Sequence, residues 1–239
     1  MRIVIGDHWA TGPVTQLEDG TIKVLGPSLA NYLACYEPTL SVSKAWSHTL
    51  EQIELFENII AQGYGPHPGD EIIWILSDPF HRWEAVTDFE FLLDGRKTIK
   101  EGVDHQIDHF LTLINEKAEQ AKINPIKIVG GGGDLSTVTL QSELPRLQFP
   151  VPSWSKLLDP DFNCTVFNED SLSKLSGYVI KYRPELMEEL GKITDAVKQR
   201  RKSILRLQNT RDMTGDIDAM PTSRAHKKLF VTLFPGLKF

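Results

Sequence analysis

The amino-acid sequence predicts an α/β protein in which a doubly wound, flavodoxin-like parallel sheet forms the middle of three layers. Short apolar runs such as 72–76 are continuous, as in strands that are buried on both faces. Segments with helical spacing of apolar residues separate these runs. Loops rich in Gly and Asp follow several of the runs. Strands that alternate with helices in this way imply right-handed βαβ units.

Four runs are predicted as strands of this sheet: Ile3–Ile5, Thr39–Ser43, Ile72–Leu76 and Ile126–Val129. The first strand ends at Gly6-Asp7 and the third at Ser77-Asp78. The fourth is followed by four glycines, 130–133, and then by Asp134. Ligands of doubly wound sheets bind beyond the carboxyl ends of the strands. We therefore expect these loops to meet at one edge of the sheet and to form a pocket there.

Five segments are predicted as helices because their apolar residues recur every three or four positions. Ser28 caps a short helix that ends at Ala34, and the others cover about 48–62, 98–121, 184–207 and 223–233. The section 144–182 has a weaker pattern, with a candidate strand at Cys164–Phe167. The prediction is a single domain of residues 1–239 with an irregular insertion at about 140–182.

The composition restricts the classes of partner. A formal net charge of -6 disfavours general binding to nucleic acid or to anionic membranes, because both require a positive field. Two cysteines, Cys35 and Cys164, are too few for a disulfide framework or a zinc site. The first residues resemble neither a signal peptide nor an anchor. We expect a cytoplasmic location, or a virion if the source is viral, and a protein partner or homo-oligomer remains open.

The loop motifs resemble those of the SGNH (GDSL) hydrolase family. The corresponding stretches are IGDHW at the first strand, ILSDP at the third, the glycines after the fourth, and DIDAMPTSRAHKKLF before the last helix. This resemblance implies a serine nucleophile after the first Gly-Asp, an oxyanion-hole asparagine after the third strand, and an Asp-x-x-His pair near the end. A looser resemblance extends to SGNH-like proteins from bacteriophage genomes.

Three chemical positions depart from the family pattern. His8 stands at the nucleophile position, Asp78 at the asparagine, and Met220 at the base histidine, with Asp216 and Asp218 nearby. Acyl transfer needs an activated hydroxyl and a base, and removing either costs on the order of a million-fold in rate. We therefore expect no ordinary serine-esterase activity. The candidate pocket residues are Asp7, His8, Asp78, Asp218 and His226, the last as a replacement base.

A metal site is the alternative interpretation of Asp7 and His8. Together with Asp78, His81 and Asp134 they could bind a cation, as in metallophosphoesterases. The Gly-Asp-x-x-Asp and Gly-Asn-His signatures of that family are missing, so we predict no metal and no cofactor. His105 and His109 are four residues apart on a helix, but they lie opposite Ile107, beside Asp104 and Asp108, which favours a solvated face.

Three other features have a structural interpretation beside a functional one. The four glycines lack the Lys-Ser/Thr of a phosphate loop, which favours a tight turn that lets backbones approach. The basic cluster of Lys198, Arg200, Arg201, Lys202 and Arg206 favours a solvated helix face over a phosphate or acidic-partner site. Three aromatic residues, Trp46, Phe80 and Trp83, could stack on a sugar or a partner side chain, or belong to the core.

Two function classes follow. We favour a non-catalytic SGNH-like protein with a binding, structural or assembly role, because three chemical positions differ while the core pattern is intact. The alternative is a hydrolase of esters, acylated carbohydrates or phosphoesters with a rearranged or metal-assisted site.

Overall fold

A computed structural model describes residues 1–17, 19, 21–44, 47–67, 69–76, 86–137, 143–214 and 220–237. Its strands are β1 (Arg2–Gly6), β2 (Val14–Gln16), β3 (Ile22–Val24), β4 (Thr39–Ser43), β5 (Glu71–Leu76), β6 (Ile126–Gly130), β7 (Leu147–Val151), β8 (Met213–Thr214) and β9 (Met220–Pro221). Its helices are α1 (His8–Thr11), α2 (Leu29–Ala34), α3 (Thr49–Ala61), α4 (Val86–Leu93), α5 (Ile99–Gln120), α6 (Trp154–Leu158), α7 (Glu169–Tyr182), α8 (Met187–Asn209) and α9 (Ser223–Leu233).

The central sheet has five parallel strands in the order β4-β1-β5-β6-β7. Counted along the chain, this is the 2-1-3-4-5 order of flavodoxin-like sheets, so the predicted fold class is confirmed. Gly6 is in register with Ser43 and with Ile75, and Leu76 is in register with Gly130. The strands therefore end together, and we call this edge of the sheet the carboxyl edge.

Both faces of the sheet are covered, which explains the continuous apolar runs. On β1, Ile3 and Ile5 pack into the same core cluster as Trp74 of β5, while Val4 packs into the opposite cluster. The cluster of Ile3 and Ile5 contains side chains of α3 and α5. The cluster of Val4 contains side chains of α2, α6 and α9 and the end of α8. These two clusters place the sheet between two helical layers.

The predicted helices are confirmed with small changes at their ends. The segment after 184 begins with a 3-10 turn, Pro184–Leu186, before α8. A third core cluster lies outside the sheet, where α4, α7 and the first half of α8 pack with Ile99 of α5 and with Phe167. Three helices that the sequence did not predict, α4, α6 and α7, complete the layers.

The prediction for 140–182 is wrong in its details. This section contains β7, α6 and α7, and Cys164–Phe167 is not a strand. Among the described strands β7 is at the end of the sheet order, and a strand in that position tolerates a proline such as Pro150. The Ser and Gly residues of α7 lower its helix propensity, but Leu175 and Val179 are fully buried against neighbouring helices. Tertiary packing thus stabilises a helix that the local sequence favours weakly.

Candidate functional site

Asp7 lies at the carboxyl edge, directly after β1, and its side chain is fully buried. Its Oδ1 atom accepts a hydrogen bond of 2.9 Å from the backbone N–H of Trp9, so Asp7 caps α1. A Cβ atom at Gly6 would lie 2.7 Å from Cβ of Ala10 and 2.8 Å from the carbonyl oxygen of Ile75. Only glycine therefore allows this close turn from β1 into α1.

His8 is the first residue of α1, and only 2% of its surface is exposed. Its Nδ1 atom lies 2.9 Å from Oδ2 of Asp7, and its ring is tilted against Trp9 at a centroid distance of 6.4 Å. The position at which the SGNH resemblance implies a serine thus holds a buried acid–imidazole pair.

His226 lies on α9 and is fully buried beside α2. Its Nδ1 atom accepts a hydrogen bond of 3.0 Å from the backbone N–H of Leu29, the first residue of α2. Trp154 contacts its ring edge-on at 4.9 Å between centroids. Burial lowers the pKa of His226 from 6.5 to about 3. The imidazole is therefore neutral at pH 7, with its proton on Nε2 and its lone pair engaged by α2.

Two of the five candidate residues, Asp78 and Asp218, lie outside the described residues, as do Asp216, His81, Trp46, Phe80 and Trp83. Met220 is described and lies in β9, paired with Thr214. Asp7 and His8 are in direct contact, whereas His226 is held between α9 and α2.

Asp134 follows the glycines after β6, and its carboxylate pairs with Lys156 and accepts the N–H of Ser136. Burial acts to raise the pKa of Asp134, but the hydrogen bonds from Lys156 and Ser136 hold it below its ordinary value. The expected close approach of backbones occurs at Gly130, the last residue of β6, where a Cβ atom would lie 2.0 Å from the carbonyl oxygen of Pro152. Gly131 also accepts the hydroxyl of Ser155 at 2.9 Å.

The outer histidines behave as predicted, since His105 and His109 are exposed and Ile107 is buried. Within the described residues, no group of three His, Cys, Asp or Glu side chains could hold a metal ion. Cys35 and Cys164 are not joined by a disulfide bond.

The basic cluster on α8 differs from a simple solvated face. Arg200 is buried and donates to the carbonyl oxygen of Thr165. Arg206 pairs with Asp159 at 2.7 Å, and Arg201 pairs with Glu169 at 2.8 Å. These side chains attach the segment before α7 to α8. The predicted solvated face is nevertheless confirmed for the other four residues of the cluster, since Lys198, Arg201, Lys202 and Arg206 are exposed, and only the burial of Arg200 departs from it.

A second feature of the carboxyl edge, the buried hydroxyls of Ser47 and Thr49, could not be predicted from the sequence. They follow β4, and among the described residues neither Oγ of Ser47 nor Oγ1 of Thr49 has a hydrogen-bond partner. Lys44, in the same loop, donates its N–H to the carbonyl oxygen of Gly6 at 3.1 Å, which ties this loop to the end of β1. An isolated Ser or Thr in a loop carries no periodic signal, so only packing reveals its burial.

A cavity of about 300 Å³ lies beside Asp134, between the first turns of α5, the first half of α8 and residues 164–167. Because α5 follows the carboxyl end of β5 and leads to the start of β6, its first turns lie near the carboxyl edge. The cavity wall includes Ile99, Val103, Ile107, Val166, Phe167 and Ile193.

The fold and this edge define a doubly wound α/β protein with a buried Asp–His pair at the end of its first strand. Two solved structures of Axe2 esterases from Geobacillus stearothermophilus are similar to this chain. One, a mutant of an acetyl-xylooligosaccharide esterase, is 12% identical with a TM-score of 0.41, and covers 99% of this chain and 94% of its own. The other, a catalytic mutant of an acetylxylan esterase, is 11% identical with a TM-score of 0.40 and the same coverage.

Neither family models nor curated proteins match this sequence. Among the helices of the described residues, none combines the length and apolar character needed to cross a membrane.

Proposed function

We propose that this chain is a non-catalytic SGNH-like protein that binds a ligand or partner at the carboxyl edge, and that it has no serine-esterase chemistry. The observation that carries the proposal is the buried contact between Asp7 and His8, 2.9 Å between Oδ2 and Nδ1, at the place of the expected nucleophile. An imidazole there supplies no hydroxyl to form an acyl-enzyme.

The state of His226 supports the same conclusion. A general base needs an available lone pair and a pKa near the working pH. In His226 the Nδ1 lone pair accepts the N–H of Leu29, and burial lowers the pKa to about 3. A base role for this residue would require breaking the contact between α9 and α2. We therefore assign His226 to the packing of α9 against α2.

The test uses purified protein with a fluorophosphonate probe and short-chain nitrophenyl esters. We expect no labelling and no turnover above that of a heat-denatured control. His8→Ser restores a hydroxyl at the end of β1 and is also expected to give neither. A labelled serine in the wild-type protein, or turnover that His8→Ala abolishes, would refute the proposal.

A second candidate function follows from the same contact. A carboxylate that orients an imidazole can produce a general base, and such a base could activate water for hydrolysis of an ester or phosphoester. This hypothesis predicts turnover that is lost in both His8→Gln and Asp7→Asn, while both variants remain folded. Metal analysis of untagged protein distinguishes metal-assisted from metal-free hydrolysis. Bound zinc or manganese at one equivalent would support the metal-assisted form.

A structural or assembly role, the other form of the non-catalytic hypothesis, is tested by a separate measurement. Sedimentation of the purified chain over a hundredfold range of concentration would detect a homo-oligomer. A monomer at every concentration would exclude self-assembly while leaving ligand binding in place.

A further inference from the structure

The cavity beside Asp134 has walls that are mainly aliphatic and aromatic. Ile99 is fully buried, and Phe167 and Ile107 are 2% and 8% exposed, so the apolar part of the lining belongs to the protein core. A volume of about 300 Å³ falls at the lower end of the range of small-molecule pockets. It is also about twice an engineered apolar cavity of ~150 Å³ that takes up benzene.

The charged groups around the cavity already have partners. Lys100 pairs with Asp104, and Asp134 pairs with Lys156. Both carboxylate oxygens of Glu189 accept backbone N–H groups at the start of α5, from Ile99 at 2.8 Å and from Lys100 at 2.9 Å. The helix terminus that would attract an anion is therefore occupied. A charged ligand would lose hydration on entering the cavity, and the charged side chains that line it are already paired with other groups.

Residues 164–167 form one wall of the cavity, and hydrogen bonds to α8 hold this segment in place. Arg200 donates to the carbonyl oxygen of Thr165, and the N–H of Asn163 is bonded to Oγ of Ser203 at 3.2 Å. Both partners lie on α8, which also contributes Ile193 to the cavity. A wall held in this way does not need to be ordered on binding, which removes an entropic cost.

We propose that this cavity binds an uncharged, largely hydrocarbon molecule of about eight to ten carbons, such as an alcohol or an ester, in preference to a carboxylate or an amine. This inference deepens the proposed binding function by naming a ligand class. The polar end of the molecule would lie at Cys164 and Thr165, the two uncharged polar residues of the lining.

The experiment uses N-phenyl-1-naphthylamine, a neutral fluorophore, with 1-octanol, octanoate and octylamine as competitors at pH 7. We expect saturable fluorescence enhancement, and displacement by octanol at concentrations at least tenfold lower than by octanoate or octylamine. Equal or better displacement by either charged competitor would overturn the proposal, and so would the absence of saturable binding.

Two variants of α8 test whether the probe binds in the cavity beside Asp134. Ile193→Trp fills the cavity and should weaken probe binding at least tenfold. Leu205→Trp places the same side chain at a half-exposed position that does not line the cavity, and should leave binding unchanged. Probe binding that both variants retain would place it elsewhere and overturn the assignment.

A second readout does not depend on the folding of Ile193→Trp. In a Cys35→Ser background, Cys164 is the only thiol. Saturating octanol should slow its alkylation by N-benzylmaleimide at least fivefold, and an unchanged rate would contradict the proposal. The two proposals can fail separately. A fluorophosphonate-labelled serine refutes the non-catalytic function, whereas failure of octanol to bind refutes only the proposed ligand class.

Discussion

Asp7 contacts two groups at once, because one carboxylate oxygen caps α1 through the N–H of Trp9 and the other lies 2.9 Å from Nδ1 of His8. The sequence placed Asp7 and His8 at the pocket through their position after β1. The structure adds that the two side chains are buried and face each other. A buried acid that serves both a helix cap and an imidazole contributes to stability as well as to any chemistry.

Substituting Asp7 separates its two contacts. Asp7→Asn keeps an oxygen that can accept from Trp9 but removes the charge beside His8, whereas Asp7→Ala removes both. Loss of an N-cap costs about 0.5–2 kcal/mol, and leaving a buried polar group without a partner costs about 1–3 kcal/mol. We expect Asp7→Ala to lower the free energy of unfolding by more than Asp7→Asn in urea titrations. Equal losses would show that the cap contributes nothing measurable.

His226 makes stability depend on pH. Its pKa is lowered to about 3 in the folded protein, against an ordinary value of 6.5, so below 6.5 the unfolded chain binds a proton that the folded protein does not. This contribution to stability is complete above pH 6.5 and is lost as the pH falls from 6.5 towards 3, at up to about 1.4 kcal/mol per pH unit.

The matched variant for this effect is His226→Gln, which keeps an oxygen for the N–H of Leu29 but does not titrate. Between pH 7 and pH 4.5 the wild-type protein should lose about 2–3 kcal/mol of stability relative to the variant. Other titrating groups are common to both proteins and cancel in the difference. Parallel pH curves for the two proteins would mean that His226 has an ordinary pKa when folded.

The sequence predicted the sheet well where burial leaves a local signal. β1, β5 and β6 are continuous apolar runs because both of their faces are covered, and glycine or Asp marks the point at which they end. β7 was missed because Pro150 is typical of loops; in this strand it is acceptable because β7 lies at the end of the sheet order and its register with β6 shifts beside Pro150. Local pattern cannot reveal which strand will lie at an edge.

The candidate site was predictable only in part. Motif position identified Asp7 and His8, since a Gly-Asp pair after a first strand is visible in sequence. The role of His226 depends on Leu29, which is 197 positions away, and the burial of Ser47 depends on a loop packed against the end of β1. The cavity depends on the contact of residues 164–167 with α5 and α8. These are long-range packing relationships, which no short window of sequence contains.

Two glycine substitutions should have opposite effects. In Gly130→Ala the new methyl would lie 2.0 Å from the carbonyl oxygen of Pro152, so strand and turn must move apart. Overpacking of this kind costs about 1–3 kcal/mol. Gly191 lies in α8 with open space around it, and Gly191→Ala should stabilise the protein by about 0.5–1 kcal/mol through helix propensity. Thermal unfolding of both variants tests this, and a neutral Gly130→Ala would show that the turn is plastic.

Glu189 provides a last prediction, because it joins α8 to the start of α5 at the rim of the cavity. Its two oxygens accept the N–H groups of Ile99 and Lys100, and its negative charge lies at the positive end of a 22-residue helix. In Glu189→Gln the remaining side-chain oxygen can accept one of the two N–H groups. The amide NH₂ faces the other N–H and cannot accept it, and the negative charge is lost.

We expect Glu189→Gln to lower stability by about 1 kcal/mol, from the sum of a weakened helix-dipole interaction and one lost hydrogen bond. Hydrogen exchange should accelerate at the first turn of α5 and remain unchanged at β1. A matched control is Glu188→Gln, whose exposed carboxylate pairs with Lys192, one turn along the same helix, and which should change stability by less than about 0.5 kcal/mol. If the two variants lose the same stability, Glu189 does not hold α5 in place, and the rim of the cavity depends on apolar packing alone.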